Sequence, residues 1–142
     1  MLDDVGFFVE NHTIAGILGP SGSGKTTILR MIMGFEAPDS GELKYGGQCL
    51  SKGGKILVPP EKRNFSIVFQ EFILFPHLNV FQNIAIGLSK KSRKERESIV
   101  DELCEVLKIS GLKKERISSL SGGEQQRVAL ARSLALRPKV LM

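Results

Sequence analysis

An α/β fold is the architecture this sequence predicts, on three observations. The octet Gly19-Pro20-Ser21-Gly22-Ser23-Gly24-Lys25-Thr26 fits the pattern G-x-x-x-x-G-K-[ST] at every fixed position. An apolar run precedes it and a helical run follows, which puts the glycines at a strand-to-helix turn. Further strand-like and helix-like segments follow along a chain of 142 residues, enough for one compact domain with a sizeable core and too few for two ordinary ones.

The elements follow in order. Gly6-Phe7-Phe8-Val9 reads as a strand and Thr13 to Leu18 as a buried one; polar Glu10-Asn11-His12 joins them, so an antiparallel hairpin is expected. Thr27 to Met33 reads as a helix closed by Gly34. Ala37 to Gly41 is a turn cluster, Glu42-Leu43-Lys44-Tyr45 a short strand and Gly46-Gly47 another turn. Ser51 to Pro60 reads as a loop, and Ser66-Ile67-Val68-Phe69-Gln70 as a buried strand ending in a polar residue. Phe81 to Leu88 permits a short helix. Ser92 to Lys108 makes a better one, with a capping box at Ser92 and Glu95 and an apolar stripe of Ile99, Leu103, Val106 and Leu107. A last helix is expected from Gly122 to Leu136, stopped by Arg137-Pro138, and Val140-Leu141-Met142 opens another strand.

The octet's spacing has a chemical reason. A loop free of bulky Cβ groups can turn its backbone N–H groups inward around phosphate oxygens. Gly22, Ser23, Gly24 and Lys25 supply those donors in this reading, within a loop that also includes Gly19, Pro20 and Ser21. Lys25 reaches the β- and γ-phosphates as a point charge, Thr26 offers a hydroxyl to Mg²⁺ and Thr27 a further hydroxyl. The helix N-terminus adds its positive dipole end. A nucleoside triphosphate is the ligand this chemistry selects.

Bulk properties exclude several other classes. The net charge of +5 suits a polyanionic ligand without demanding nucleic acid. Lys90, Lys91, Arg93, Lys94 and Arg96 form the main basic cluster, but Glu95 and Glu97 interrupt it and no aromatic residue is interleaved for base stacking, so it reads as a solvated helix face. Cys49 and Cys104 stand alone and are expected as reduced thiols. His12 and His77 lack zinc-ligand spacing, and no apolar run is long enough for a membrane span or a signal peptide.

Leu120-Ser121-Gly122-Gly123-Glu124-Gln125-Gln126-Arg127 opens the last helix, and this octet closely resembles the signature motif of ABC-type ATPases. Between the two octets, Val68-Phe69-Gln70 and Leu74-Phe75-Pro76-His77-Leu78-Asn79-Val80 resemble the Q-loop region of the same family, in its usual order. The resemblance covers essentially the whole chain. It implies an incomplete ABC-type nucleotide-binding domain: a mixed sheet around the phosphate-loop helix with an antiparallel N-terminal portion, a core over about 1–78, a helical subdomain over about 79–120 and a signature helix over about 121–137.

The resemblance also implies roles. Ser121, Gly122 and Gly123, a small donor-rich anion site at a helix N-terminus, meet with Glu124 the γ-phosphate of ATP held by a second copy or homologous subunit, in a head-to-tail dimer. Gln70 contacts the attacking water or Mg²⁺ and senses the γ-phosphate. Phe72, Phe75, Pro76 and Leu78 lie near a groove that receives permease subunits spanning the membrane, with a solute-binding protein engaged indirectly and no nucleic acid. The protein then sits peripherally on the cytoplasmic face of the inner membrane. Two departures stand out: Glu124 where many members carry glutamine, with Arg127 and Arg132 as neutralising partners, and Glu10 to Thr13 where a Gly-Glu turn is common.

Val58-Pro59-Pro60-Glu61-Lys62-Arg63 and Leu74 to Leu78 resemble importers of iron(III), polyamines, sulfate and sugars, and the Gly53-Gly54 loop resembles the iron(III) group most. The family's acidic pair that organises Mg²⁺ and polarises water follows the signature helix, beyond Val140-Leu141-Met142; its adenine-stacking aromatic precedes the first hairpin. The expectation is therefore a parent protein that hydrolyses ATP and a chain that is inactive by itself. A nucleotide-binding fragment without turnover is the competing reading. A soluble ABC-type ATPase acting on DNA or ribosomes predicts a long insertion that this chain lacks, and the signature octet argues against a phosphate-loop kinase or GTPase.

Overall fold

A computed structural model describes residues 3–142. The chain divides into two compact units, Met1–Arg63 and Asn64–Met142.

In the first unit, α1 (Lys25–Met33) ends at Gly34, whose φ of 86° lets its N–H turn back to the carbonyls of Arg30 and Met31. β1 (Glu42–Tyr45), β2 (Gln48–Lys52) and β3 (Lys55–Ile56) form an antiparallel sheet in the order β1-β2-β3, and a one-turn helix, α2 (Pro60–Arg63), follows. The expected loop from Ser51 to Pro60 is corrected: Gly53 and Gly54, at φ 50° and 75°, make a two-residue turn, so Ser51 and Lys52 pair with Ile56 and Lys55.

Arg63 organises this unit. Its side chain is 3% exposed, and all five N–H positions of its guanidinium are used. Nε donates to the Val58 carbonyl at 2.8 Å, and Nη1 to the carbonyls of Met31 and Ile32 at 3.0 and 2.7 Å, which closes the C-terminal end of α1. Nη2 donates to the Leu50 carbonyl and to Ser51 Oγ at 3.3 and 2.8 Å. Burial lowers the guanidinium pKa. A cation at a helix C-terminus suits the dipole there. Gly34 leaves it room: a Cβ at that position would stand 2.6 Å from Arg63 Cζ.

The expected N-terminal hairpin is also corrected. Its turn forms, with His12 at φ 61° and Thr13 Oγ1 donating to the Glu10 carbonyl at 2.7 Å. Gly6–Val9 and Thr13–Leu18 are not strands, because no strand among the described residues hydrogen-bonds to them. A strand buried on both faces requires such neighbours. Ile14 and Leu18 are accordingly 103% and 94% exposed.

The second unit is mainly helical: α3 (Val80–Ala85), α4 (Arg93–Val106) and α5 (Gly122–Ala135), with one 3₁₀ turn between α3 and α4 and two between α4 and α5. Val80, Ile84, Leu88, Val100, Cys104, Ile109, Val128 and Ala131 are packed in one buried cluster. The buried thiol of Cys104 has its pKa raised by desolvation. β4 (Phe65–Ser66) pairs in parallel with β5 (Val140–Leu141), and Val68 N–H adds one bond to the Met142 carbonyl. The expected strand Ser66–Gln70 is therefore shorter and starts earlier. Beyond Val68 the chain leaves the ladder, and a turn closes where Phe72 N–H donates to the Phe69 carbonyl at 2.9 Å. Gln70 is exposed in that turn, not at the end of a buried strand.

Candidate nucleotide-binding site

The phosphate loop runs from Gly19 to Thr26 into α1. Ser23 N–H donates to the Pro20 carbonyl at 3.3 Å, and Gly22 and Gly24 take φ of 80° and 87°, left-handed values that fold the loop back over the helix start. Gly19 is required at close quarters, since a Cβ there would stand 2.8 Å from Ser23 Oγ. The Lys25 ammonium lies inside the turn, donating to the Gly19 and Pro20 carbonyls at 2.9 and 2.6 Å and to Ser23 Oγ at 3.4 Å.

The N-terminus of α1 differs from those of the other long helices. Gly24 offers no side-chain cap, and the first turn holds no acidic residue. By contrast α4 and α5 are closed by reciprocal capping boxes, Ser92 with Glu95 and Ser121 with Glu124; the shorter α3 is closed by Asn79 with Gln82. The first-turn N–H groups of α1 have no intrahelical partner, and with Lys25 beside them they form a place for an anion. Thr26 is exposed, and its hydroxyl makes no hydrogen bond with the described residues. Magnesium is held by few protein oxygens together with substrate phosphates. The Thr26 hydroxyl fits such an ion. No group of three His, Cys, Asp or Glu among the described residues offers a resident metal site.

Gln70 and Ser121–Glu124 belong to the second unit. At the start of α5 the Glu124 carboxylate accepts from Ser121 N–H at 2.8 Å and from Ser121 Oγ at 2.7 Å, while Glu124 N–H points back to Ser121 Oγ at 3.4 Å. These bonds hold the Glu124 pKa below its usual value, the Ser121 hydroxyl contributing most, then its N–H, with a smaller effect of Arg127. The expected neutralisation by Arg132 is corrected: its guanidinium donates instead to the carbonyls of Ile73 and Phe72, at 2.8 and 3.1 Å. Ser121 thus spends its hydroxyl and its N–H on Glu124, while Gly122 and Gly123 stay exposed. The S-x-x-E spacing at 121–124 repeats that at 92–95, and this signal in the sequence identifies the box.

Asn83, fully buried, belongs to no motif that singles it out in the sequence. Its Oδ1 accepts from Phe75 N–H at 2.9 Å, and its Nδ2 lies 3.0 to 3.2 Å from the carbonyls of Phe75, Leu78 and Asn79. It fixes the Leu74–Leu78 segment against α3. An open cleft of about 450 Å³ in the second unit, beside Gly87, Lys91, Leu136 and Arg137, contains none of the expected site residues.

The family model described as ABC transporter matches residues 2–142. Among solved structures, cbiO1 from Clostridium perfringens, described as part of the ABC transporter complex cbiONQ, is similar with a TM-score of 0.75 and 28% sequence identity; the match covers 87% of this chain and 50% of that one. The chain therefore spans about half the length of the solved structure it matches. The glycine-rich loop running into an uncapped helix, the α/β elements around it and a family match over residues 2–142 agree, and the chain belongs to the ABC transporter family, with the α/β fold of its ATP-binding domain.

Proposed function

We propose that this chain binds Mg²⁺-ATP through Gly19–Thr27, as the nucleotide-binding part of a transporter subunit that energises import of a small solute. The observation that carries this reading is the open N-terminus of α1, without cap or acidic residue, with the Lys25 ammonium within reach of it. In the bound state the first-turn N–H groups face the phosphate oxygens. Lys25 exchanges the carbonyls of Gly19 and Pro20 for β- and γ-phosphate oxygens, and Thr26 with Gln70 would hold the magnesium ion, which neutralises charge on the phosphates. Gln70 would also orient the attacking water. Ser121, Gly122, Gly123 and Glu124 would face the nucleotide of a second nucleotide-binding subunit, beneath permease partners on the cytoplasmic face of the membrane. No helix among the described residues is long and apolar enough to cross a membrane itself. The strings at Val58–Arg63 and Leu74–Leu78 favour an importer of iron(III), polyamine, sulfate or sugar, and the Gly53-Gly54 loop favours iron(III) among them.

Binding is better supported than turnover by the residues described. Phosphoryl transfer to water needs a group that takes the proton, and neither the loop nor the first turn of α1 carries a carboxylate. The test is titration of the 142-residue chain with ATP by calorimetry, with and without Mg²⁺, beside Lys25→Ala, together with phosphate release. Magnesium-dependent binding lost in the variant supports the reading. Binding that survives Lys25→Ala refutes it, and Lys25-dependent turnover refutes the ranking of binding above hydrolysis.

A further inference from the structure

Two residues after Gln70 the backbone is strained. Phe72 and Ile73 hold φ of 55° and 42°, a region costly for a side chain and most of all for a β-branched one. Ile73 N–H donates to the Glu71 carbonyl at 2.6 Å, an i→i+2 bond around a positive-φ residue, which is the rare and strained form of γ-turn. Such a turn persists only where its surroundings hold it.

Arg132, on α5, does the holding. Its two Nη groups donate separately to the carbonyls of Phe72 and Ile73, and its Cζ stands 5.5 Å from the centre of the Phe75 ring. No carboxylate forms an ion pair with it among the described residues. Burial lowers its pKa. Its charge is thus compensated by two carbonyl dipoles and a ring face. Asn83 grips the next residues from α3, so that Phe72 to Leu78 is fastened at two points to two helices. The Ser121–Glu124 cap lies at the start of the same α5 that carries Arg132.

We propose that Arg132 is a positioning residue whose forked guanidinium ties the strained turn after Gln70 to α5, so that a displacement at Gln70 is delivered to the helix that opens with Ser121. This rests on the reading of Gln70 as a nucleotide contact. The experiment is amide hydrogen exchange followed by NMR on the 142-residue chain. Without nucleotide, Arg132→Ala is expected to speed exchange at Phe72 and Ile73 about tenfold or more, the worth of one charge-assisted hydrogen bond, while the Asn83-held Phe75 amide changes less than about threefold. Arg132→Lys, which lacks the fork, falls between. In an Ile73→Gly background, where the left-handed turn needs no clamp, the effect of Arg132→Ala should shrink. Unchanged exchange at Phe72 and Ile73, or an equal increase there, at Phe75 and through α5, overturns the clamp. With Mg²⁺-ATP, the shift changes in α5 seen for the native chain should vanish in Arg132→Ala at unaltered affinity, and their persistence overturns the coupling. Failure of the native chain to bind nucleotide refutes the proposed function and removes the ligand that coupling requires, while the exchange at Phe72 and Ile73 still judges the clamp.

Discussion

Replacing Arg63 by methionine keeps most of the side-chain volume and removes every donor. Five acceptors are affected unequally. The Met31 carbonyl still accepts from Gly34 N–H, and the Leu50 carbonyl from Leu57 and Val58 N–H. The carbonyls of Ile32 and Val58 and the fully buried Ser51 hydroxyl lose the guanidinium and keep no other partner. The buried Ser51 hydroxyl costs about 1 to 3 kcal/mol when orphaned, and the partly buried carbonyls of Ile32 and Val58 cost up to about that each. Relief from burying a guanidinium and rotation of the hydroxyl place the net loss towards the lower end, about 3 to 5 kcal/mol, a large share of a small unit's stability. Urea unfolding followed by far-ultraviolet circular dichroism measures it, with exposed Lys62→Ala as a control expected within about 0.5 kcal/mol. A loss below about 1 kcal/mol for Arg63→Met would refute the view that this guanidinium organises the unit.

Gly34→Ala should also destabilise, by about 2 kcal/mol or more, because it combines a φ of 86° with a Cβ 2.6 Å from Arg63 Cζ; in the same urea assay its effect should shrink in the Arg63→Met background. Asn83→Ala is expected to cost about 2 to 4 kcal/mol in thermal or urea unfolding, and Asn83→Asp more at neutral pH, since a carboxylate would face the carbonyls of Phe75, Leu78 and Asn79. Glu95 and Glu124 have folded pKa values below the usual 4.5, Ser92 and Ser121 being the chief causes. Their contribution is present above pH 4.5 and is lost as pH falls from there through the depressed folded values. Helical circular dichroism of α4 and α5 should therefore decline in that acid window, and the doubly substituted Glu95→Gln, Glu124→Gln chain, which keeps a capping box without a titrating group, should show a flatter profile.

Local signals carried most of what could be read before the fold was seen. Gly34 closes α1, Ser92 and Glu95 open α4, and Arg137-Pro138 follows the end of α5, each through bonds among residues a few positions apart. What sequence could not show depends on partners far along the chain. Thr13–Leu18 has a strand's pattern, but a strand needs a neighbour, and none among the described residues pairs with it. The apolar run before Gln70 predicts a strand end there, while the ladder closes at Ser66 and one further bond at Val68. Gly53-Gly54 looked like loop composition and is a hairpin turn, because the register of Ser51 with Ile56 is set across strands. The partners of Arg63 and Arg132 are hidden for the same reason. An arginine whose partners are main-chain carbonyls leaves no complementary charge in the sequence to find.

The resting position of Lys25 has a consequence for selectivity. The ammonium that would serve the phosphates already has three acceptors of its own, supplied by Gly19, Pro20 and Ser23. An incoming anion must therefore draw a satisfied cation away from its ligands, and the bound population is reduced by the fraction of loops still closed on themselves. A small singly charged anion would gain less from doing so than a triphosphate, which would meet the lysine and the open helix end together. Under the proposed function, the loop would then discriminate by the charge of its visitor before any contact with a base or sugar is made.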